Sequence, residues 1–288
     1  MQDITQIHSL QAIRIHGEDA ASFLQGQLTT DVTQVQNTWQ LAGYCSPKGR
    51  LLAAMYLSQN QNGFLAVLHN SIAASVSQRL RMYVLRSKVV IEPVAASFHY
   101  LSSFSGKFAE IGENNGCPVL SFGDFGLRVA IQENPAGDNA DAPLSQADLD
   151  WELALIQAGI PSITSLTQEL FVPQMVNLDA LGGINFKKGC YTGQEIVARM
   201  HYLGKLKQRM FVCSVSGESG DEVASKIITQ DGKNAGTLAS QIISGSCLAV
   251  LRIEHCQSRL QLESGAPIQV NAEQPYSLKT SKQSEESA

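Results

Sequence analysis

The alternation of apolar and polar residues predicts a series of short strands and helices. Residues 10–15 alternate as a half-buried strand does, and apolar runs at 51–57 and 64–68 flank a turn-forming Asn60-Gln61-Asn62-Gly63. Ile72, Val76, Leu80, Tyr83 and Val84 then recur at helical spacing. Strands interleaved with helices, without a repeat period, indicate an α+β fold.

A second helix is predicted after a linker at 134–143 that is rich in Asn, Asp, Gly and Pro. Ser145 and Asp148 provide an N-cap and an acidic third residue, and Gly159 with Pro161 ends the helix. Residues 160–188 show little periodicity but are partly apolar. A long irregular segment of that kind is usually functional, and its apolar content predicts ordered backbone.

After Gly204 the pattern changes to short strand candidates separated by Gly, Asp and Asn. Asp231-Gly232 is a hairpin-turn signal between two of these candidates. Closely spaced short strands over about 70 residues predict a small barrel or a sandwich.

The densest group of chemically active side chains lies at 187–195, Lys-Lys-Gly-Cys-Tyr-Thr-Gly-Gln-Glu. Thr192 and Glu195 have the spacing of a capping box, which predicts that a helix begins there. Cys190 would then lie just outside a helix N-terminus beside Lys187 and Lys188, a setting that favours thiolate. An ordinary buried cysteine before a capped helix fits the same pattern, so both interpretations stay open.

Composition restricts the function classes. The chain has 288 residues and a net charge of −5, which predicts no strong direct binding of nucleic acid, although a local basic patch is compatible with it. Its six cysteines include no Cys-x-x-Cys pair, so we expect neither a zinc ribbon nor a permanently bound metal. The N-terminus has no secretory signal pattern, and no apolar stretch is long enough to span a membrane. A cytoplasmic location is therefore expected.

Five blocks of sequence resemble the YgfZ family of folate-binding proteins, which share the fold of the glycine-cleavage aminomethyltransferase (T-protein). The resemblance covers most of the chain, and its blocks are Gly-x-Asp-Ala at 17–20, Phe-Leu-Gln-Gly-Gln-Leu-Thr-x-Asp-Val at 23–32, Cys-x-x-Lys-Gly-Arg at 45–50, the Trp151–Pro161 segment, and the segment from Phe171 to Glu195. The last block, with its fixed internal order, is the most specific.

The resemblance implies an α+β fold in which three domains form a ring around a cavity for tetrahydrofolate. Residues 1–48 and 145–205 would form a discontinuous folate-binding domain that carries the 187–195 motif. Residues 49–144 would form an inserted ferredoxin-like domain, and residues 206–288 a C-terminal β-barrel with a polar tail.

The function implied by the resemblance is an accessory role in assembling or repairing four-iron iron–sulfur enzymes. Expected partners are the iron–sulfur assembly machinery and radical enzymes that thiomethylate tRNA, so an effect on tRNA modification would be indirect. One alternative is a folate-dependent aminomethyltransferase-like enzyme, although we find no equivalent of the T-protein's catalytic aspartate motif. A docking scaffold without any ligand is a further alternative.

The folate site implied by the resemblance would use residues of two blocks. Trp151 would stack on the pterin, although a core tryptophan fits the pattern equally well. Lys187, Lys188 and Arg199 would neutralise the glutamate tail or would simply be solvated cations. Tyr191, Gln194 and Glu195 complete the expected set, and Cys190 is the candidate nucleophile, redox thiol or transient cluster ligand.

Overall fold

Three β-sheets and four α-helices make up the part of the chain that the structure, a computed structural model, describes: residues 6–35, 39–101, 119–122, 127–133, 145–217 and 220–278. The helices are α1 (Ala20–Gln25), α2 (Asn70–Val84), α3 (Gln146–Ala158) and α4 (Gln194–Tyr202). The strands are β1 (Gln6–Ile7), β2 (Leu10–His16), β3 (Gln40–Cys45), β4 (Leu51–Asn60), β5 (Gly63–His69), β6 (Val90–Val94), β7 (Ala96–Leu101), β8 (Val119–Phe122), β9 (Leu127–Glu133), β10 (Gln208–Val215), β11 (Lys226–Thr229), β12 (Asn234–Leu238), β13 (Ser246–Arg252), β14 (Leu260–Leu262) and β15 (Pro267–Val270). None of these helices could span a membrane.

A five-stranded antiparallel sheet, in the order β3-β4-β5-β2-β6, is buried on both faces. Successive side chains of a strand point to opposite faces, and β5 illustrates the result. Phe64, Ala66 and Leu68 enter one core cluster, whereas Leu65 and Val67 enter a second. The near-continuous apolar sequence of β4 and β5 follows from this double burial.

The two core clusters place different elements on the two faces of this sheet. The first cluster packs residues of α1 and α2, such as Leu24 and Ile72, against it. The second cluster packs it against a four-stranded sheet, in the order β1-β7-β9-β8, and against α3. As the sequence predicted, α3 begins with a capping box between Ser145 and Asp148 and ends at Gly159 in a left-handed conformation.

The domain boundary predicted between residues 48 and 49 falls inside the five-stranded sheet. The turn at 46–49 closes with a hydrogen bond from the Gly49 amide to the Ser46 carbonyl (2.8 Å), and it joins the paired strands β3 and β4. The turn signal at Pro47 was therefore correct, but it marks a hairpin and no change of sheet. The linker predicted at 134–143 lies outside the described residues, so the division into domains otherwise stays a prediction.

The C-terminal part forms a closed barrel in the order β10-β13-β12-β11-β14-β15, as the closely spaced strands predicted. Gly232 adopts φ 79° in the predicted hairpin turn between β11 and β12. Cys213 and Cys247 face each other across β10 and β13 and are fully buried. Burial raises the pKa of the Cys247 thiol to about 12, so these cysteines act as small apolar groups, as expected.

The irregular segment at 160–188 is ordered and joins the sheets to the barrel. Arg209 at the start of β10 donates to both carboxylate oxygens of Asp179 (2.5 and 2.8 Å) and to the Gln174 carbonyl (3.0 Å). The side-chain Nδ2 of Asn177 donates to the Met210 carbonyl (2.8 Å). These bonds hold the segment against the barrel. The Arg209 guanidinium and the Asp179 carboxylate are both partly buried, and each neutralises the charge of the other.

We expect Arg209→Met to lower the free energy of unfolding by about 3 kcal/mol, because it leaves the partly buried Asp179 carboxylate without its partner. Chemical denaturation followed by circular dichroism measures the change. The matched control is Lys88→Met, which breaks an ion pair whose side chains are 70% and 74% exposed and should have little effect. Equal losses in the two variants would contradict the clamp.

Candidate functional site

The nine residues 187–195 lie where three blocks of the sequence meet. The Thr192 amide donates to the Gly26 carbonyl at the end of α1 (3.2 Å), and the Asn185 amide donates to the Thr29 carbonyl (2.9 Å). The Thr29 hydroxyl in turn donates to the Gly183 carbonyl (2.5 Å) and accepts from the Gly43 amide of β3 (2.7 Å). The loop at 25–29 and strand β3 thereby hold the motif in place.

Lys188 ties the motif to the loop after α1. Its side chain is buried, and its ammonium group donates to the carbonyls of Gln25 (2.7 Å) and Leu28 (2.6 Å). The same ammonium lies 5.1 Å from the centre of the Tyr191 ring, within the range of a cation–π contact. Burial lowers the pKa of Lys188 to about 8, against the opposing effect of Asp31. This cation is therefore committed to the protein's own backbone.

Gly193 lets the motif approach the turn between β3 and β4. It has φ 83°, and a Cβ atom built on it would lie 2.5 Å from the Ser46 carbonyl oxygen and 3.0 Å from the Gly49 Cα. Gly49 is similarly confined, because its Cβ would lie 2.7 Å from that of Ile196. The backbone at Gly193 and the backbone of the turn at 46–49 are thus in direct contact, and a side chain on either glycine would push them apart.

The capping box predicted between Thr192 and Glu195 is wrong. Helix α4 begins at Gln194 with Gly193 as its N-cap, and no side chain caps it. The capping box would have the Thr192 amide donate to the Glu195 carboxylate. That amide donates to the Gly26 carbonyl instead. Tertiary hydrogen bonding has replaced the local pattern, and the Glu195 side chain is left exposed.

Cys190 differs from the other cysteines that the structure describes because its side chain is exposed. Burial raises the pKa of Cys45 to about 12 and that of Cys256 to about 11, so both stay protonated at neutral pH. Only an ionised thiolate is an effective nucleophile or metal ligand. Access to Cys190 makes it the described cysteine best placed for chemistry with an external molecule.

Comparisons with known proteins identify the family. The chain is 30% identical over 269 residues to "tRNA-modifying protein YgfZ" of Escherichia coli strain SE11, covering 86% of this chain and 81% of that relative. The protein of the same name from Shigella boydii serotype 18 matches with the same identity and coverage. The chain belongs to the YgfZ family.

The fold expected for this family is confirmed by a solved structure. Aminomethyltransferase T of the glycine cleavage system from Bartonella henselae superimposes with a TM-score of 0.73, at 12% sequence identity, over 96% of this chain and 86% of that one. The family model "CAF17, C-terminal beta-barrel domain" matches residues 207–279, which include the closed barrel. The chain therefore has an α+β fold of the aminomethyltransferase T type.

Trp151, which the YgfZ resemblance assigns to pterin stacking, lies in the second core cluster with no exposed surface. Its ring lies 5.7 Å from that of Tyr100 at an interplanar angle of 58°. Ile184 and Val197, on either side of the 187–195 motif, belong to the first cluster instead. The indole thus offers no open face to a ligand in this structure, and its stacking role stays a prediction.

The other predicted residues divide by exposure. Lys187, Glu195 and Arg199 are exposed and Gln194 is half-buried, so two cations, an amide and a carboxylate are accessible within 13 residues. Tyr191 is buried, and this burial raises its phenol pKa. Lys187 and Arg199 are therefore accessible to an anionic ligand, whereas the enclosed Trp151 does not provide a slot for the rings of a folate.

Glu152 is a candidate that the sequence analysis missed, although it follows Trp151 directly. Burial, together with the nearby charge of Asp148, raises the pKa of Glu152 to about 7. Asp148 itself accepts hydrogen bonds from the amides of His8 (2.8 Å) and Ser9 (2.7 Å). A carboxyl group with a pKa near 7 can both donate and accept a proton at neutral pH, which is typical of catalytic acids and bases.

An open cavity of about 520 Å³ lies elsewhere, on the barrel. Gln230, Cys256, Arg259 and Gln269 are among its lining residues. None of the residues predicted for folate binding lines it, so this cavity does not coincide with the expected site.

We expect Gly193→Ala to lower the free energy of unfolding by about 2–3 kcal/mol, through the clash with Ser46 and the strain of a left-handed alanine. Thermal or chemical denaturation measures this loss. Gly189→Ala is the control within the motif, since nothing lies within 4 Å of a Cβ there and its φ is not positive. A Gly193→Ala variant as stable as Gly189→Ala would refute the close approach.

We also expect stability to depend on pH through Glu152. Because its pKa is raised from 4.5 to about 7, the folded state binds more protons than the unfolded state between these values. The free energy of unfolding should therefore fall as pH rises through this window. Glu152→Gln should exceed the wild type in stability by about 2 kcal/mol at pH 8, and by much less at pH 5.

Chemical denaturation at the two pH values measures this difference. Asp150→Asn, which changes an exposed carboxylate on the same helix, is the control, and its stability should follow the pH dependence of the wild type because Glu152 is retained. A Glu152→Gln curve parallel to that of the wild type would show that Glu152 is not the responsible group.

Proposed function

We propose that this protein is a folate-binding accessory factor for the assembly or repair of four-iron iron–sulfur enzymes. Its effect on tRNA modification then passes through the radical enzymes that thiomethylate tRNA. The observation that carries this proposal is the position of Cys190: an exposed thiol on a tightly held motif, in a member of a family whose relatives are named "tRNA-modifying protein YgfZ".

The packing around the motif supports a role in presenting this thiol. The backbone bonds of Asn185 and Thr192 and the buried ammonium of Lys188 fix the chain on both sides of Cys190. A thiol held in this way needs little ordering when a partner's cluster or another thiol approaches it. A cysteine that served only packing would be buried, as Cys45 is.

Tetrahydrofolate is the proposed ligand. Lys187 and Arg199 would hold the carboxylates of its glutamate tail, and Gln194 would supply hydrogen bonds. Calorimetry with tetrahydrofolate tests this part of the proposal. We expect Arg199→Ala to weaken binding, whereas Arg86→Ala, which removes an exposed cation near the end of α2, should leave it unchanged.

Genetic complementation tests the functional role of Cys190. In a deletion strain, we expect the wild type and Cys256→Ser to restore both thiomethylated tRNA and four-iron enzyme activity, and Cys190→Ser to restore neither. The reason is that the Cys190 thiol is exposed, whereas the Cys256 thiol is partly buried and its pKa is raised to about 11. Full restoration by Cys190→Ser would show that the Cys190 thiol has no chemical role. Normal levels of thiomethylated tRNA and four-iron enzyme activity in the deletion strain itself would refute the proposed function.

Glu152 favours a second candidate function, a folate-dependent one-carbon transfer of the aminomethyltransferase type. That reaction needs proton transfer at neutral pH, for which the pKa of Glu152 near 7 is suited, and it would require the folate to bind beside α3 rather than at Lys187 and Arg199. Incubation with an aminomethylated lipoyl carrier and tetrahydrofolate distinguishes the two functions. Turnover that is lost in Glu152→Gln would favour this enzyme, and its absence would favour the accessory factor.

A further inference from the structure

Two exposed rings in the last turn of α4, His201 and Tyr202, pack with the half-buried ring of Phe186, and we call these three residues the aromatic corner. The Phe186 and His201 rings are stacked, with centroids 3.7 Å apart and an interplanar angle of 13°. Tyr202 contacts both edge-on, with centroids at 6.3 Å from Phe186 and 4.7 Å from His201. Phe186 packs against the first core cluster, so this stack is anchored from below.

The corner is unusually open for an aromatic group. Tyr202 is 64% exposed and the adjacent Leu203 is 84% exposed, while His201 lies on the surface. Burying such rings would remove a large apolar area from water, yet no described element covers them. Exposed aromatic rings that are already stacked offer flat faces on which another ring can be added.

Four basic residues flank the corner along the sequence of a chain whose net charge is −5. Lys187, Arg199, Lys205 and Lys207 are exposed and lie within six residues of a corner ring. None of the four forms an ion pair among the described residues.

The acidic groups near these cations are few. Glu195 lies on the same helix, and Glu254 follows β13 but lies 3.9 Å from Arg252 and 3.8 Å from His255. From residue 196 to residue 217 the sequence contains no acidic residue. The sequence around the end of α4 is therefore locally basic, which the net charge of −5 leaves possible.

We propose that the aromatic corner binds single-stranded RNA. A nucleobase stacks on the exposed ring of Tyr202 or extends the Phe186–His201 stack, and the neighbouring cations contact phosphates. An acidic protein surface would also satisfy the cations, but carboxylates have no aromatic ring to stack on the corner, whereas every nucleobase has one. The proposal goes beyond the proposed function, which requires no contact between this protein and RNA.

Fluorescence anisotropy with a labelled 15-nucleotide oligouridine tests the proposal, with polyglutamate as the competing polyanion without bases. We expect oligouridine to bind and an equal charge of polyglutamate not to displace it. Three or four phosphate contacts predict that log K falls with log salt concentration with a slope of about −2 to −3. Lys205→Ala should make that slope less negative by about 0.7.

Tyr202→Ala should weaken oligouridine binding by about 5- to 100-fold, whereas Tyr202→Phe keeps the stacking face and most of the affinity. Tyr83→Ala, which removes another surface tyrosine away from the corner, is the matched control. Equal binding by Tyr202→Ala and Tyr83→Ala would overturn the proposal. So would displacement of oligouridine by polyglutamate at equal charge, which would identify the corner as a site for acidic proteins.

Discussion

The arrangement of the candidate site depends on a contact between two backbones, in which Gly193 lies against the turn at 46–49. Both glycines at this contact, Gly49 and Gly193, have positive φ and no room for a Cβ atom. The contact sets where helix α4 begins and therefore which way the motif at 187–195 faces. Lys188 holds the same motif from the buried side, since its ammonium group donates to the carbonyls of Gln25, the last residue of α1, and of Leu28.

The five-stranded sheet connects this contact to the rest of the fold. The turn at 46–49 is the hairpin between β3 and β4, so the motif is fixed to a sheet that is buried on both faces. The irregular segment before the motif is clamped to the barrel through Arg209 and Asp179. One ordered unit thus presents an exposed thiol and, in the last turn of α4, the exposed rings of His201 and Tyr202.

Local sequence signals predicted most elements but not the chemical environments of the site residues. Ser145 and Asp148 formed their capping box because the amide of each residue donates to the side chain of the other and not to a distant part of the chain. Thr192 did not form one, because the Gly26 carbonyl, 166 residues earlier in the chain, accepts from its amide. The burial of Trp151 and the pKa of Glu152 depend on which elements pack around α3, and sequence spacing carries no information about that.

Alkylation of the native protein, followed residue by residue with mass spectrometry, tests most directly whether the fold exposes Cys190 while it buries Cys45, Cys213 and Cys247. We expect iodoacetamide to modify Cys190 while Cys45, Cys213 and Cys247 stay unmodified until the chain is denatured. Protection of Cys190, or its modification at the same rate as the buried thiols, would contradict this expectation.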